Sequence, residues 1–170
     1  RSYRWRRNIF CFDAMLRFNH IVTSSAECFT TLTLDFDQRV KSRQRVELDN
    51  GRIAGLFLPR GTVLQHGQKI QAETGQLVEI VAAEETVSSV YVTDALTIAR
   101  SCYHLGNRHV PLQITQGFIR YQHDHVLDDM LRGLGLEVTV EKAAFEPEAG
   151  AYGEHKHAAH EHHHNHQHAG

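Results

Sequence analysis

The sequence predicts an α+β protein made of two small folded domains and a histidine-rich tail. In residues 15–83, short apolar runs are separated by turn residues, a pattern typical of a small all-β domain. In residues 84–145, strand-like runs alternate with two amphipathic segments in the order βαββαβ, the ferredoxin-like arrangement. Residues 146–170 end in a dense run of histidines, and a segment this polar is predicted to be disordered.

Strand and turn signals define the first domain. The run LRFNHIV after Met15 predicts the first strand, and Thr31–Phe36 places alternate apolar residues on one face. Arg45–Leu48 is followed by Asn50 and Gly51 and then by another apolar run, RIAGLFL. This order predicts a hairpin in which both central turn residues have positive φ. Further short strands end in LVEIVAAE, and we predict no helix before residue 84.

The second domain is predicted to contain two helices and four strands. Asp94 is a suitable N-cap for the first helix, whose apolar residues recur at helical spacing as far as Gly106. The second helix is an amphipathic segment that glycines end at Gly133 and Gly135. The predicted strands are Val87–Val92, Val110–Ile114, Phe118–Gln122 and Leu136–Ala143.

Composition and charge argue against several classes of protein. The chain has 170 residues, 41% hydrophobic and 22% charged, which is ordinary for a soluble globular protein. Its net charge of -2 does not indicate nucleic-acid binding, and no apolar run approaches the ~20 residues that span a bilayer. The three cysteines, Cys11, Cys28 and Cys102, are widely spaced and odd in number. We therefore expect reduced thiols in a cytoplasmic protein.

The first fourteen residues differ from the rest of the chain. RSYRWRRNIFCFDA contains four arginines and a single acid, Asp13, which interrupts an apolar run too short for a secretory signal. A transit-like or nucleic-acid-binding arm is one interpretation. The simpler interpretation is that residues 1–14 are a non-native extension and that Met15 is the true start.

The C-terminal tail is the densest group of candidate metal ligands. Neutral imidazole is the commonest protein ligand for nickel, zinc and copper, and below about pH 6.5 protonation would release the metal. A purification tag is the alternative, but tags are usually unbroken and this run is interrupted from Lys156 to Gln167. The candidate ligands are His155, His157, His160, His162, His163, His164, His166 and His168.

Two further histidine motifs lie in the second domain. His109 follows Asn107-Arg108 at the start of a predicted strand, and as a lone histidine it is weak evidence for a ligand. His123 and His125 form an HxH pair, which on a continuous strand would bring alternate Cα atoms about 6.5–7 Å apart on one face. Here the pair spans a strand-to-helix junction. Asp124 between them is equally well explained as a helix cap.

The remaining histidines have structural explanations. His104 lies in the last turn of the first predicted helix, where a positive ring complements the helix dipole. His20 and His66 have no partner in the sequence, and we interpret both as structural.

An enzyme is not indicated. HDHVLDD approaches the HxHxDH motif of binuclear metallohydrolases but has Leu127 where an aspartate is needed. No nucleophile motif, Ser-His-Asp order or phosphate-binding loop is apparent elsewhere. We therefore predict that the chain is not an enzyme.

Several segments together resemble the urease accessory protein UreE family. The match runs from about Met15 into the tail, and GNRH-x-PLQ followed by HxHVLDDML is a specific combination. The resembling segments are Val40–Arg43, Gly55–Gly61, Val81–Val87, His104–Ile114, His123–Gly135 and Phe145–His157.

The resemblance implies a nickel metallochaperone that supplies Ni(II) as cargo for assembly of the urease active site. It implies a first domain similar to the peptide-binding domain of J-protein co-chaperones and a homodimer formed through the second domain. His109 from each subunit would meet at that interface to hold one metal, and His123 and His125 would form an auxiliary site. The implied partners are the urease apoprotein and its accessory GTPase complex, with no nucleic acid and no membrane.

A general metal buffer is the competing interpretation. Such a protein would store nickel, zinc or copper through the tail alone, and its metal stoichiometry would not depend on His109. Because Cu(II) binds nitrogen ligands more tightly than Ni(II), and Zn(II) can also bind in vitro, affinity by itself does not identify the physiological metal.

Overall fold

Residues 15–149, which the computed structural model describes, form one β-sheet in each half of the chain. The proposed extension and the tail histidines lie outside these residues. The elements of the first half are β1 Leu16–Val22, β2 Thr30–Leu34, α1 Phe36–Arg39, β3 Arg43–Glu47, β4 Ile53–Phe57, β5 Lys69–Ala72 and β6 Leu77–Ala82. Those of the second half are β7 Glu84–Tyr91, α2 Ala95–Gly106, β8 Gln113–Ile114, β9 Phe118–Gln122, α3 His125–Gly133 and β10 Thr139–Ala144.

The first half is rich in strands, as predicted. Its six-stranded sheet has the order β2-β6-β5-β1-β4-β3, with β1–β4 and β2–β6 parallel and the other pairs antiparallel. Alternate residues of these strands point into one apolar core, so the period-2 pattern of the sequence corresponds to burial. The core includes Phe18, Leu32, Leu56, Leu64, Ile70 and Ile80.

The hairpin between β3 and β4 forms, but its turn differs from the prediction. Only Gly51 has positive φ, because within residues 15–149 the sole non-glycine with positive φ is His109. Leu48 N–H donates to Arg52 O, which leaves a loop of three residues instead of two. A three-residue loop needs left-handed backbone at its last position alone, which explains why Asn50 does not adopt it.

A one-turn helix interrupts the first half, where we predicted none. The predicted strand from Thr31 ends at Leu34, and α1 begins at Phe36. Asp35 accepts from Gln38 N–H, while Gln38 Oε1 accepts from Asp35 N–H. This capping box satisfies two backbone donors and starts the turn despite the strand-like alternation.

The second half contains both helices and strands in the order β-α-β-β-α-β. Its sheet has the order β10-β7-β9-β8, and all its pairs are antiparallel. Asp94 caps α2, as predicted. The strand predicted over Val110–Ile114 is reduced to Gln113–Ile114, because Pro111 has no N–H to donate to a sheet. The core includes Val90, Leu105, Ile119, Tyr121, Leu127 and Leu131.

Arg39 connects the two halves. Its side chain is only 2% exposed, and its guanidinium donates to Leu64 O and to Phe145 O, which follows β10. The Phe145 ring meets Phe36 edge-to-face, with 5.3 Å between centroids. Glu146 Oε1 accepts from His66 N–H at 2.8 Å. These contacts hold the segment after β10 against the first half.

No helix within residues 15–149 is long and apolar enough to cross a membrane.

Candidate metal centre

His109 projects from the loop between α2 and β8. The helix ends at Gly106, and His109 N–H donates to Gly106 O at 2.9 Å. His109 is exposed, and its φ is 57°. A left-handed backbone costs a residue with a side chain roughly 1–2 kcal/mol, and such positions cluster at functional sites. The backbone therefore marks His109 as a candidate functional residue independently of any motif.

The loop that carries His109 is held by its neighbours. Arg108 N–H donates to the carbonyl of buried Leu105 at 3.0 Å. The Arg108 guanidinium contacts Met130 Sδ on α3 at 2.6 Å. The imidazole of His109 is thus presented to solvent from a loop tied to both helices of the second half.

His123 and His125 lie on either side of the start of α3, as the sequence predicted. Asp124 is the N-cap of this helix and accepts from Val126 N–H at 2.7 Å and from Leu127 N–H at 3.2 Å. The helix-cap interpretation of Asp124 is therefore confirmed. Both flanking histidines are exposed, so the cap leaves their imidazoles accessible.

The His123 ring is joined to a buried polar network that the sequence analysis did not identify. Its Nδ1 lies 3.0 Å from Ser88 Oγ on β7 and 3.3 Å from Asp128 Oδ2 on α3. Tyr121 OH donates to the other Asp128 oxygen at 2.8 Å. Burial, and then the hydrogen bond to Asp128, raise the pKa of Tyr121, which keeps its hydroxyl a donor. A buried carboxylate in an amphipathic helix is the one signal that could have indicated this network.

Within residues 15–149, three other histidines and Cys102 have their own local contacts or surroundings. His66 Nδ1 accepts from Ala82 N–H at 3.3 Å, a contact that supports the structural interpretation. His104 packs edge-to-face against the adjacent Tyr103 ring, and His20 is exposed on β1. Cys102 packs against the second core, and burial raises the pKa of its thiol, which makes it a poor ligand.

Residues 15–149 of a single chain do not bring three or more His, Cys, Asp or Glu side chains together in a metal-binding group. His109, His123 and His125 are therefore exposed imidazoles outside any such group in this part of the chain. A nickel ion needs at least four donor atoms, which would have to include groups from another copy, the tail or water.

Known families match both halves of the chain. The model of the UreE urease accessory protein N-terminal domain matches residues 18–83, and that of the C-terminal domain matches residues 85–169. The chain belongs to the UreE family. A urease accessory protein UreE from Vibrio parahaemolyticus is 54% identical over 146 residues, covering 82% of this chain and 92% of that protein.

Other UreE proteins are similarly close. One from Alkalilimnicola ehrlichii is 58% identical over 139 residues, covering 82% of this chain and 85% of its own. One from Pseudomonas putida strain W619 is 62% identical over 123 residues, covering 72% of this chain and 76% of its own. UreE is a family of accessory proteins, and this membership confirms the prediction that the chain is not an enzyme.

Proposed function

We propose that this chain is a nickel metallochaperone that delivers Ni(II) for assembly of the urease active site. Membership of the UreE family supports a role in urease maturation. Nickel follows from that family role, and the observation that carries the site is His109, an exposed imidazole held on a strained backbone in the GNRH loop. Imidazole ligands without thiolate suit a carrier, because they leave open positions through which a metal can be exchanged.

In this proposal two copies of the chain form a homodimer through the second domain, and the two His109 side chains hold one nickel ion. A site on a two-fold axis needs only one ligand from each chain, which fits a single exposed imidazole. Exposed apolar side chains on the helix side of the second sheet also favour self-association. They include Leu96, Tyr103, Val126 and Val140.

His123 and His125 form an auxiliary nickel site, and the tail histidines capture nickel and pass it to His109. Both imidazoles of the pair are exposed within three residues of each other. The eight tail histidines between His155 and His168 give a high local imidazole concentration, because they are tethered to the same chain. Zinc and copper would bind the same ligands in vitro.

The partners in this proposal are the urease apoprotein and its accessory GTPase complex, in the cytoplasm. The second domain is ferredoxin-like, an assignment supported by the β-α-β-β-α-β order and the strand order β10-β7-β9-β8. The first domain, residues 15–83, serves as a peptide-binding-like module, and residues 84–145 carry the metal. Residues 146–170 form the tail whose histidines capture metal.

Nickel stoichiometry by equilibrium dialysis tests the proposal. The proteins to compare are the full chain, a chain ending at Glu154, and that shorter chain with His109→Ala or, as a control, His104→Ala. We expect the shorter chain to keep a tight site near one nickel per two chains, His109→Ala to remove it, and His104→Ala to leave it intact. Loss of all tight binding on truncation would contradict the role of His109.

A general nickel, zinc or copper buffer is the second candidate function. The eight histidines among the fourteen residues from His155 to His168 favour it. It predicts that binding and dimerisation do not change with His109→Ala and that all high-affinity metal is lost with the tail.

A further inference from the structure

The two ring nitrogens of His123 have different environments. Its Nδ1 faces Ser88 Oγ and Asp128 Oδ2 at 3.0 and 3.3 Å, and Ser88 is fully buried. The Asp128 side chain is 2% exposed, whereas that of His123 is 37% exposed. One side of the imidazole therefore lies against buried oxygen atoms while the ring itself reaches solvent.

The network determines which ring nitrogen carries the proton. An ionised carboxylate only accepts hydrogen bonds, and Asp128 Oδ1 already accepts from Tyr121 OH. Ser88 Oγ, 3.0 Å from Nδ1, can donate or accept and so fits either tautomer. Asp128 Oδ2 can only accept, so the Nδ1 atom that faces it carries the hydrogen. The lone pair of the neutral ring then lies on Nε2, which is the atom a metal needs.

Neighbouring donors offset the cost of burying the Asp128 carboxylate. Arg132, one turn later on α3, places its guanidinium 3.8 Å from Asp128 Oδ2. A buried carboxylate is costly without partners, and here Tyr121, His123 and Arg132 supply three. The network joins β7, β9 and α3, so the orientation of the ring is fixed by two strands and a helix.

We infer that Asp128, supported by Ser88 and Tyr121, is a positioning residue for His123, holding its ring as the Nδ1–H tautomer with Nε2 presented to a divalent metal such as nickel. The inference rests on the proposed function, which makes His123 a ligand. A carboxylate that accepts from the non-coordinating nitrogen fixes the tautomer and raises the basicity of the ligand, and its loss typically weakens metal binding about 10–100-fold. Within residues 15–149, His109 and His125 have no side-chain hydrogen bond of this kind.

The chain offers a matched pair of variants. Asp128→Asn and Asp129→Asn make the same change of charge at adjacent positions of α3. The Asp129 side chain is 73% exposed and forms an ion pair with Arg132 at 3.1 Å. In Asp128→Asn, the new oxygen can still accept from Tyr121, but the NH₂ group then faces Nδ1 and favours a lone pair on that nitrogen. We therefore expect this variant to move the proton to Nε2.

The test uses the full-length chain with the eight tail histidines changed to asparagine and His109→Ala added, so that the His123 site is measured alone. Nitrogen-15 NMR of the metal-free imidazoles reports the tautomer, and equilibrium dialysis with Ni²⁺ alone reports the affinity. We expect the Nδ1–H tautomer before substitution. With Asp128→Asn we expect loss of that tautomer and about 10–100-fold weaker nickel binding, and with Asp129→Asn neither change.

The outcomes separate this inference from the proposed function. If His123→Ala removes nickel binding but Asp128→Asn changes neither tautomer nor affinity, the positioning role is overturned and the ligand role stands. If His123→Ala changes nothing, both the auxiliary site and the positioning role are wrong. An Nε2–H tautomer before substitution overturns the inference without any variant, so a failure of Asp128→Asn to fold would not protect it.

Discussion

His109 combines an exposed imidazole with a backbone conformation that favours glycine. Its φ of 57° is accommodated by the turn that follows α2, in which four successive N–H groups, from Asn107 to Val110, donate back to carbonyls of the helix end. Neither feature depends on the other, since the turn would accept glycine and the imidazole could be presented from ordinary backbone. The effects of folding and of the proposed metal binding can therefore be measured separately at this position.

His109→Gly and His109→Ala should therefore differ in stability although neither binds nickel tightly. Both remove the imidazole, but only alanine keeps the Cβ that makes left-handed backbone unfavourable. We expect the free energy of unfolding of the glycine variant to exceed that of the alanine variant by about 1 kcal/mol. Urea denaturation of the metal-free proteins at one protein concentration measures the difference. Equal values would mean that the loop relaxes when the histidine is removed.

The residues of the candidate site were predictable only where they are neighbours in sequence. His109, His123 and His125 were identified from short motifs. Ser88 and Tyr121 were not, because their role depends on contacts with Asp128 and His123 across strand pairings. Ser88 lies 35 residues from His123 and is brought to it by the antiparallel register of β7 and β9. Spacing along the chain carries no information about such a pair.

At the scale of elements, the start of α3 serves both folding and the candidate site. Asp124 caps the helix between two exposed histidines. The sequence left open whether the aspartate is a cap or part of a metal site. The structure confirms the cap, and it leaves the ligand role of the flanking imidazoles as a proposal.

Substitutions of Asp124 should affect stability and not metal affinity. Asp124→Ala is expected to lower the free energy of unfolding by about 1 kcal/mol because two helix N–H groups lose their acceptor. Asp124→Asn should stay within a few tenths of a kcal/mol of the original, since asparagine caps as well. Denaturation and nickel dialysis on both variants check this. A large loss of nickel affinity in Asp124→Asn would show that the carboxylate binds metal.

Hydrogen bonds between polar side chains link β7, β9 and β10 on one face of the second sheet. Glu141 on β10 accepts from Tyr91 OH at 2.7 Å and from the Arg120 guanidinium at 3.1 Å. Hydrogen bonds from Ser89 and Tyr91, with a further contribution from Arg120, lower the pKa of Glu141. The folded state therefore favours the ionised carboxylate more strongly than the unfolded state does.

The lowered pKa of Glu141 predicts that part of the free energy of unfolding is lost in acid. Because the folded pKa lies below the unfolded value of about 4.3, the stabilisation is complete above that pH and is lost as pH falls through the folded pKa. Glu141→Gln should lower the free energy of unfolding at neutral pH. It should also reduce the loss of that free energy as the pH falls below about 4.5. Unfolding free energies between pH 3 and 7 test this, with exposed Glu137→Gln as the control. Parallel curves for the original and Glu141→Gln would contradict it.

The predictions of helices, strands and turns were wrong where two local sequence preferences compete. The alternation through Phe36 favoured a strand, but the Asp35–Gln38 capping box starts a helical turn. Asn50-Gly51 correctly predicted a hairpin and incorrectly predicted its turn, because loop length depends on which residues pair. The first error missed a helix of four residues and the second misplaced a turn by one residue, and both lie where a strand gives way to a turn.

At the scale of the whole molecule, Arg39 joins the two sheets. In the sequence it lies within DQRVKSR, a polar stretch typical of a surface, and nothing there indicates burial. Its acceptors, Leu64 O and Phe145 O, are 25 and 106 residues away. Burial lowers the pKa of Arg39, and Glu146, Glu85 and Asp35 oppose that effect. The division into a strand-rich half and a mixed half was predictable from periodicity, whereas this junction was not.

Removing the Arg39 guanidinium should destabilise the protein and separate its two halves. Arg39→Leu leaves two buried carbonyls without a donor, each costing roughly 1–3 kcal/mol, so we expect a loss of about 2–4 kcal/mol. Arg45→Leu, the same change at an exposed site on β3, should have little effect. Thermal unfolding followed by two probes would show whether Arg39→Leu unfolds in separate steps. A single transition at the original temperature would contradict the role of Arg39.

The left-handed backbone at His109 has a consequence for selection experiments on this protein. A library randomised at this position and selected only for folded, protease-resistant protein should enrich glycine, with asparagine next. The same library selected for urease activity at scarce nickel should enrich histidine. The ratio of glycine to histidine after selection would then report how strongly the cell depends on this carrier, and it should shift toward glycine as nickel in the medium rises.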